Sequence, residues 1–267
     1  MQQMTIGNPK CEAKYQAALW QKVAQPVDLK TMSGMNGSND VSLNAEETFQ
    51  KYHEELRGEL NNANWHFTIW KYLQELRGTY HKELNQAPTF FGLTMHAHLL
   101  AALVRINKFF DKNEKHLSIR KFLDFIEENL DLFSSKAFEA RMRSIGRYES
   151  HIIREHSQIT LEKVEEDRKR VDDLPVSCVR KWRNTILVHI EAERVLRSID
   201  VMKTYPVRQK QVAETINTLD DILNEYLVAY DASTWAKDLP IKNGVRAVVD
   251  AIRFKLAEAR RQRYMSD

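Results

Sequence analysis

Arg183, Asn184 and His189 are the residues whose types and spacing best suit chemistry. They lie within Val179-Arg180-Lys181-Trp182-Arg183-Asn184-Thr185-Ile186-Leu187-Val188-His189. RNA can be cleaved without a metal by little more than this set. An imidazole of near-neutral pKa takes the proton from a 2′-hydroxyl or gives one to the leaving oxygen. A guanidinium forks onto the phosphate and holds the charge that builds in the transition state. An asparagine orients either of them or the RNA. Six positions along an ideal helix turn by about 600°, which leaves Arg183 and His189 roughly 120° apart. On one straight helix they do not converge. Either the helix ends before His189, or the same residues of a second chain complete the site, as a twofold dimer would allow. The bland alternative stays open, in which Arg183 pairs with a helix acid and His189 packs in a bundle. An Arg followed by a His after four to six residues occurs once in the chain. Requiring Asn directly after the Arg makes the pattern rarer still.

Other residues could serve such a site. Arg180 and Lys181, with Arg183, could guide RNA toward it. Trp182 could stack a base, or fill a core or a dimer interface. Arg105 lies on a strongly apolar helix, where an unpaired charge is costly. It is either a second phosphate ligand or the partner of an acid such as Asp111. Arg260, Arg261 and Arg263 could attract RNA, although cations near a helix C-terminus complement its dipole without further purpose. His151 and His156 read as decoration on polar helices.

The elements that must position these residues are helical. Residues 1–43 read as an extension, with one short helix over 12–24 and a mobile linker around Gly34 and Gly37. Asn44 is an N-cap, with Glu46 and Glu47 in the first turn of a helix that, whole or broken, reaches about Asn85. Pro88 opens an apolar helix carrying Phe91, Met95, Leu99, Ala102, Ile106 and Phe109, ending around Asp111. Ser118 caps the next, and Ser134 starts a short one. Residues 157–173 form a largely solvated helix with a thin stripe of Leu161, Val164 and Val171. Pro175 starts the helix that bears the Arg-Asn…His element. Pro206 opens the most regular seam, Val212, Ile216, Leu219, Leu223, Tyr226 and Tyr230. The last helix runs from about Gly244 to Arg261 through Val245, Val248, Ile252 and Leu256. The domain reading is therefore 1–43 extension, 44–235 helical bundle, and 236–267 C-terminal helix packing on it.

Composition agrees. Of 267 residues, 43% are hydrophobic and 29% charged, with a net charge of +3, which is ordinary for a globular protein. Eight glycines and six prolines are under half the roughly 12% combined usage of average proteins. That scarcity argues against folds built on many tight turns. The charge permits anionic partners without demanding them. Cys11 and Cys178 cannot build a disulfide framework or a Cys-rich zinc site. No signal peptide and no membrane-length apolar stretch are expected, which predicts a cytoplasmic protein without a membrane partner.

Several chemistries drop out. There is no Gly-rich phosphate loop, no His-Glu-x-x-His, and no Glu-x-x-His pair. His189-Ile190-Glu191 resembles the start of a zinc-deaminase signature, but no Pro-Cys-x-x-Cys follows. His96 and His98 diverge by about 200° on a helix and make poor co-ligands. Asp172-Asp173 and Asp220-Asp221 read as solvated helix charges. No metal and no cofactor is expected.

Arg183-Asn184 and His189 resemble the hallmark of the HEPN superfamily (higher eukaryotes and prokaryotes nucleotide-binding domain). That hallmark is Arg, usually a polar residue, a few residues, then His. A second stretch is similar to the abortive-infection branch. It comprises Phe90-Phe91-Gly92-Leu93, Leu99 through Ile106 with Arg105, Phe110-Asp111-Lys112, and Leu117-Ser118-Ile119. The resemblance covers about residues 45–230. It implies an all-α, HEPN-like antiparallel helical bundle with additional helices, which forms a homodimer. It also implies metal-independent endoribonuclease activity in a toxin or antiphage defence effector, with RNA as substrate and an antitoxin or other defence-system protein as a possible partner. In HEPN toxins silenced by nucleotidyltransferase antitoxins, a Tyr stands two positions after the His. Here that position is Glu191, so silencing through that Tyr is not expected. The alternative is a catalytically silent helical interaction module of a toxin–antitoxin or defence complex.

Overall fold

The computed structural model describes residues 44–146, 156–177, 179, 208–235 and 241–266. They fall within one compact unit spanning residues 43–267. Among them are eight α-helices and a short 3-10 turn, with no strand. The fold is all-α, as the composition and periodicity predict.

Helix α1 is Ala45–Thr79. It starts where its cap is: the Asn44 Oδ1 accepts the Glu47 N–H at 2.8 Å, which satisfies one of the donors a helix N-terminus leaves over. It breaks at Tyr80, outside helical geometry, and resumes as the single turn α2, His81–Leu84. Pro88 at its first position opens α3, Pro88–Lys108. Ser118, Ser134 and Thr160 accept side-chain cap bonds at the starts of α4 (Ile119–Glu128), α5 (Ser135–Ser144) and α6 (Leu161–Asp172). A 3-10 turn, Leu130–Phe133, joins α4 to α5. Helix α7 is Gln209–Asp231, and α8 is Ile241–Ser266. Ala232, which follows α7, holds φ at 55°, the left-handed stop more often given to glycine.

Two helices run antiparallel to α1. Glu59 meets Arg105 and His66 meets His98 along α3. Arg57 meets Asp220 and His53 meets Leu223 along α7. The main core lies between these helices and α4. It takes Phe49, Leu56, Leu60 and Phe67 from α1, Leu103 and Ile106 from α3, and Phe122 and Ile126 from α4. From α7 it takes every residue of the 4-3-4-3-4 seam predicted from sequence. Aromatic rings fill its end, with Phe49 4.5 Å from Tyr230 and 5.3 Å from Phe133, centre to centre. A smaller second core gathers Leu73, Leu76, Tyr80, Leu84, Phe91 and Val249.

Several expectations need correction. Asp220 is not solvated: it is 5% exposed and paired with Arg57, itself 1% exposed. Its neighbour on the helix points elsewhere, because adjacent positions diverge by about 100°. Helix α6 is not simply a solvated rod. Its Asp167 is fully buried, and it accepts from Lys163 at 2.9 Å, Arg170 at 2.7 Å and the Tyr226 hydroxyl at 3.0 Å. Leu161 of the proposed stripe is exposed. On α8, Val249 is the buried residue and Val248 is not. Helix α3 ends at Lys108 rather than at Asp111. It is also long and apolar enough to cross a membrane by length and composition, with a mean hydropathy of 1.3. The expectation of no such stretch therefore fails. Its two charges, Arg105 and Lys108, sit in its last turn, so they leave most of the helix uncharged. Finally, His156 stacks on Phe138 at 4.0 Å and donates from Nε2 to the Ala229 carbonyl. It does not decorate a polar face.

Truncating Asp220→Ala strands the buried Arg57 guanidinium without its carboxylate. We expect a loss of about 3–5 kcal/mol in urea unfolding, with the double variant Arg57→Leu/Asp220→Leu recovering most of it. Burial holds the His53 imidazole below its ordinary value of 6.5, and the hydrogen bond to Leu223 does not restore it. A depressed folded-state pKa means that the unfolded chain takes up the proton first. The stability His53 confers is therefore complete above pH 6.5 and is lost as pH falls through the folded value. Urea midpoints should drop below that pH, and His53→Gln should flatten the drop.

Candidate functional site

Six of the seven sequence-predicted site residues lie outside the described residues. They are Arg180, Lys181, Trp182, Arg183, Asn184 and His189. The structure does show how the chain leading to them is held. Leu174 and Val176 follow α6 and enter the main core, as does Val179. Asn107, 5% exposed near the end of α3, donates from Nδ2 to the Val179 carbonyl at 3.2 Å. Arg183 follows that anchor by four residues. An amide inside an apolar helix has to find such a partner, since burying it unbonded is costly. The sequence reading passed over Asn107. Its position one residue after the core residue Ile106 was the available signal.

Arg105, the seventh candidate, is described. Its partner is Glu59 of α1 at 2.8 Å, not Asp111. Lys108 takes the other carboxylate oxygen at 2.7 Å. Burial pushes the Glu59 carboxyl up, but the bonds and charges of Lys108 and Arg105 outweigh it and hold the group below its ordinary value. One carboxylate thus serves two cations. The Arg105 side chain keeps 30% exposure, which leaves part of its fork facing solvent. Glu59 was missed because its distance from Arg105 in sequence hides their pairing across antiparallel helices.

A cleft of about 950 Å³ lies beside the chain at residues 174–177. Phe109, Asp111, His116, Arg120, Lys121 and Val176 are among its lining residues. Asp111 accepts the Asn113 N–H at 3.0 Å and meets the His116 Nδ1 at the same distance. The carboxylate on Nδ1 fixes how the His116 ring is oriented. Arg120 is engaged by Asp172, and Lys121 donates to the Glu114 carbonyl. The cleft therefore carries cations and a carboxylate-oriented imidazole at its rim. Among the described residues no cluster of three or more His, Cys, Asp or Glu side chains could hold a metal ion.

The chain matches the family HEPN_AbiU2, described as AbiU2, over residues 46–250. The match spans α1 to α7, the first part of α8 and the Arg-Asn…His element. No curated protein and no solved structure matches.

Asn107→Leu removes the only side-chain donor seen on the Val179 carbonyl among the described residues. A buried acceptor left unpaired costs about 1–3 kcal/mol. Limited proteolysis between residues 177 and 207 should accelerate in that variant, with α1 and α7 still protected from amide exchange.

Proposed function

The chain belongs to the HEPN_AbiU2 family, and on that premise we propose that it is a metal-independent endoribonuclease acting in abortive infection, as a toxin or antiphage defence effector in the cytoplasm. Arg183 binds the scissile phosphate and stabilises its transition-state charge. Asn184 orients the reacting groups. His189 is the general acid or base. The site is composite, at the cleft of a homodimer, a placement that answers the divergence Arg183 and His189 would have on one ideal helix. Arg180 and Lys181 draw RNA in, Trp182 stacks a base, and Arg105 is an outlying phosphate contact.

The observation that supports this reading is where the motif lies. The family match over 46–250 contains the single Arg-Asn-x4-His element of the sequence. A second reading, a catalytically silent module that binds an antitoxin or another defence protein, draws on Arg105. The one described candidate for RNA contact already spends its charge on Glu59.

Purified wild type, Arg183→Ala and His189→Ala are incubated with total RNA and a labelled single strand in EDTA. Cleavage by the wild type, lost at least 100-fold in each variant while sedimentation still reports a dimer, is the expected result. Cleavage by either variant at the wild-type rate overturns the assignment. No cleavage by the wild type favours the silent module.

A further inference from the structure

His66 of α1 and His98 of α3 meet nitrogen to nitrogen. Their Nδ1 atoms are 2.8 Å apart, and their ring centres are 5.0 Å apart with the planes tilted by 41°. Both side chains are half-buried. The pair lies midway along the seam between the two helices, two turns from the Glu59–Arg105 ion pair. Such close nitrogens suggest two ligands on one metal, and the ring positions exclude it. Two imidazoles gripping a metal must converge at an angle of about 90–110°, each nitrogen about 2.0–2.1 Å from the ion. The ring-centre separation exceeds the nitrogen separation by nearly the centre-to-atom distance of both rings added together, which requires the rings to point head-on. That is the geometry of an N–H···N hydrogen bond.

We propose that His66 and His98 form a one-proton bridge that locks α1 to α3 and opens when a second proton enters. The count follows from the atoms. With both rings neutral, one Nδ1–H donates to the bare Nδ1 of the other. With one added proton the bridge survives, because an imidazolium Nδ1–H still faces a lone pair and the bond becomes charge-assisted. With two added protons, both Nδ1 atoms carry hydrogens. Two like charges and two donors then meet at 2.8 Å, and the rings must part. The two rings therefore titrate as a unit, in two separated steps.

The surroundings push the same way. Burial lowers the proton affinity of both rings, and for His66 the charges of His98 and then Arg105 lower it further. Among the described residues the charged group that acts on His66 besides His98 is Arg105 on α3, and Arg105 shares Glu59 of α1 with Lys108. Glu59 therefore does little to help a second proton bind. Folded values below the ordinary one mean that the bridge's contribution to stability is complete above pH 6.5, and it is lost as pH falls through the second folded step. Asn107, on the same helix, holds the chain ahead of Arg183, so acid acts on the helix that seats that chain. This inference does not depend on ribonuclease activity.

The test is a histidine-selective NMR titration of the full chain from pH 8 to 4, alongside amide exchange of α3. The expected result is two steps for His66 and His98 separated by more than tenfold in proton concentration. Exchange at Leu99–Leu103 should rise at least tenfold at the second step and stay flat through the first. In His98→Asn the second step disappears, and His66 titrates at a higher pH than in the wild type. His66→Gln gives the reciprocal control should one variant fold poorly. Coincident titration of the two rings overturns the proposal. So does a His66 midpoint unmoved by His98→Asn, or exchange that ignores the second step.

Discussion

The Arg57–Asp220 pair fixes how α1 lies against α7, and most of the bundle follows from that seating. Removing two charges from water costs several kcal/mol each. The helices can meet here only in the register that brings the two groups together. Burial lowers the proton affinity of Arg57, the mark of a cation held where water does not reach. Trp235 lies across the same guanidinium, 5.6 Å from its carbon to the ring centre. Around this point the apolar contacts are generic, and many slides of one helix along the other would satisfy them. The ion pair, and the His53 bond to the Leu223 carbonyl one turn away, select one. Apolar seams supply the affinity between helices, and buried polar groups supply the alignment.

Asp167 does for α6 what Asp220 does for α7. A helix with a thin apolar stripe has little area with which to hold its place. It gains that hold from one buried carboxylate bonded to Lys163, Arg170 and Tyr226. Glu225 of α7 pairs with the same two cations. The result is a charged network that spans two helices and pins the chain immediately before residues 174–179. The segment that carries the candidate chemistry is thus held at its start by a polar network on one side and by Asn107 on the other.

Much of this was legible in the sequence, for identifiable reasons. Asn44, Ser118 and Ser134 predict helix starts because a cap acts locally, on a backbone donor two or three residues ahead. The α7 seam predicts its buried face because helical periodicity is local too. Asp220 was read as solvated and Glu59 was missed because their partners come from other helices, and pairing between helices leaves no trace in local spacing; of the Asp167 partners, only Tyr226 comes from another helix. His98 shows the same limit. It was set aside because it diverges from His96, yet its partner is His66 on the opposite helix. Val248 and Val249 are adjacent, and only the angle at which α8 lies on α1 decides which is buried. Of the candidate site, the sequence carries the Arg-Asn…His element and Arg105. The structure adds the anchors at Val179 and Asn107 and the partner of Arg105.

Helix α1 is 35 residues long, about 52 Å at 1.5 Å per residue, whereas α7 has 23 residues and reaches about 35 Å. The overhang is where α2, the start of α3 and α8 gather into the second core. Two cores therefore share one rod, and the side chains that fill them are different. Phe91, Leu73 and Val249 can change volume without disturbing the packing at Val179 or around Arg57. A lineage can remodel the far end, where α8 continues past the family match to expose Phe254, Tyr264 and Met265, while the near end keeps its geometry. The length of a single helix thereby gives the molecule two ends, a workshop and a handle, whose packing can change separately.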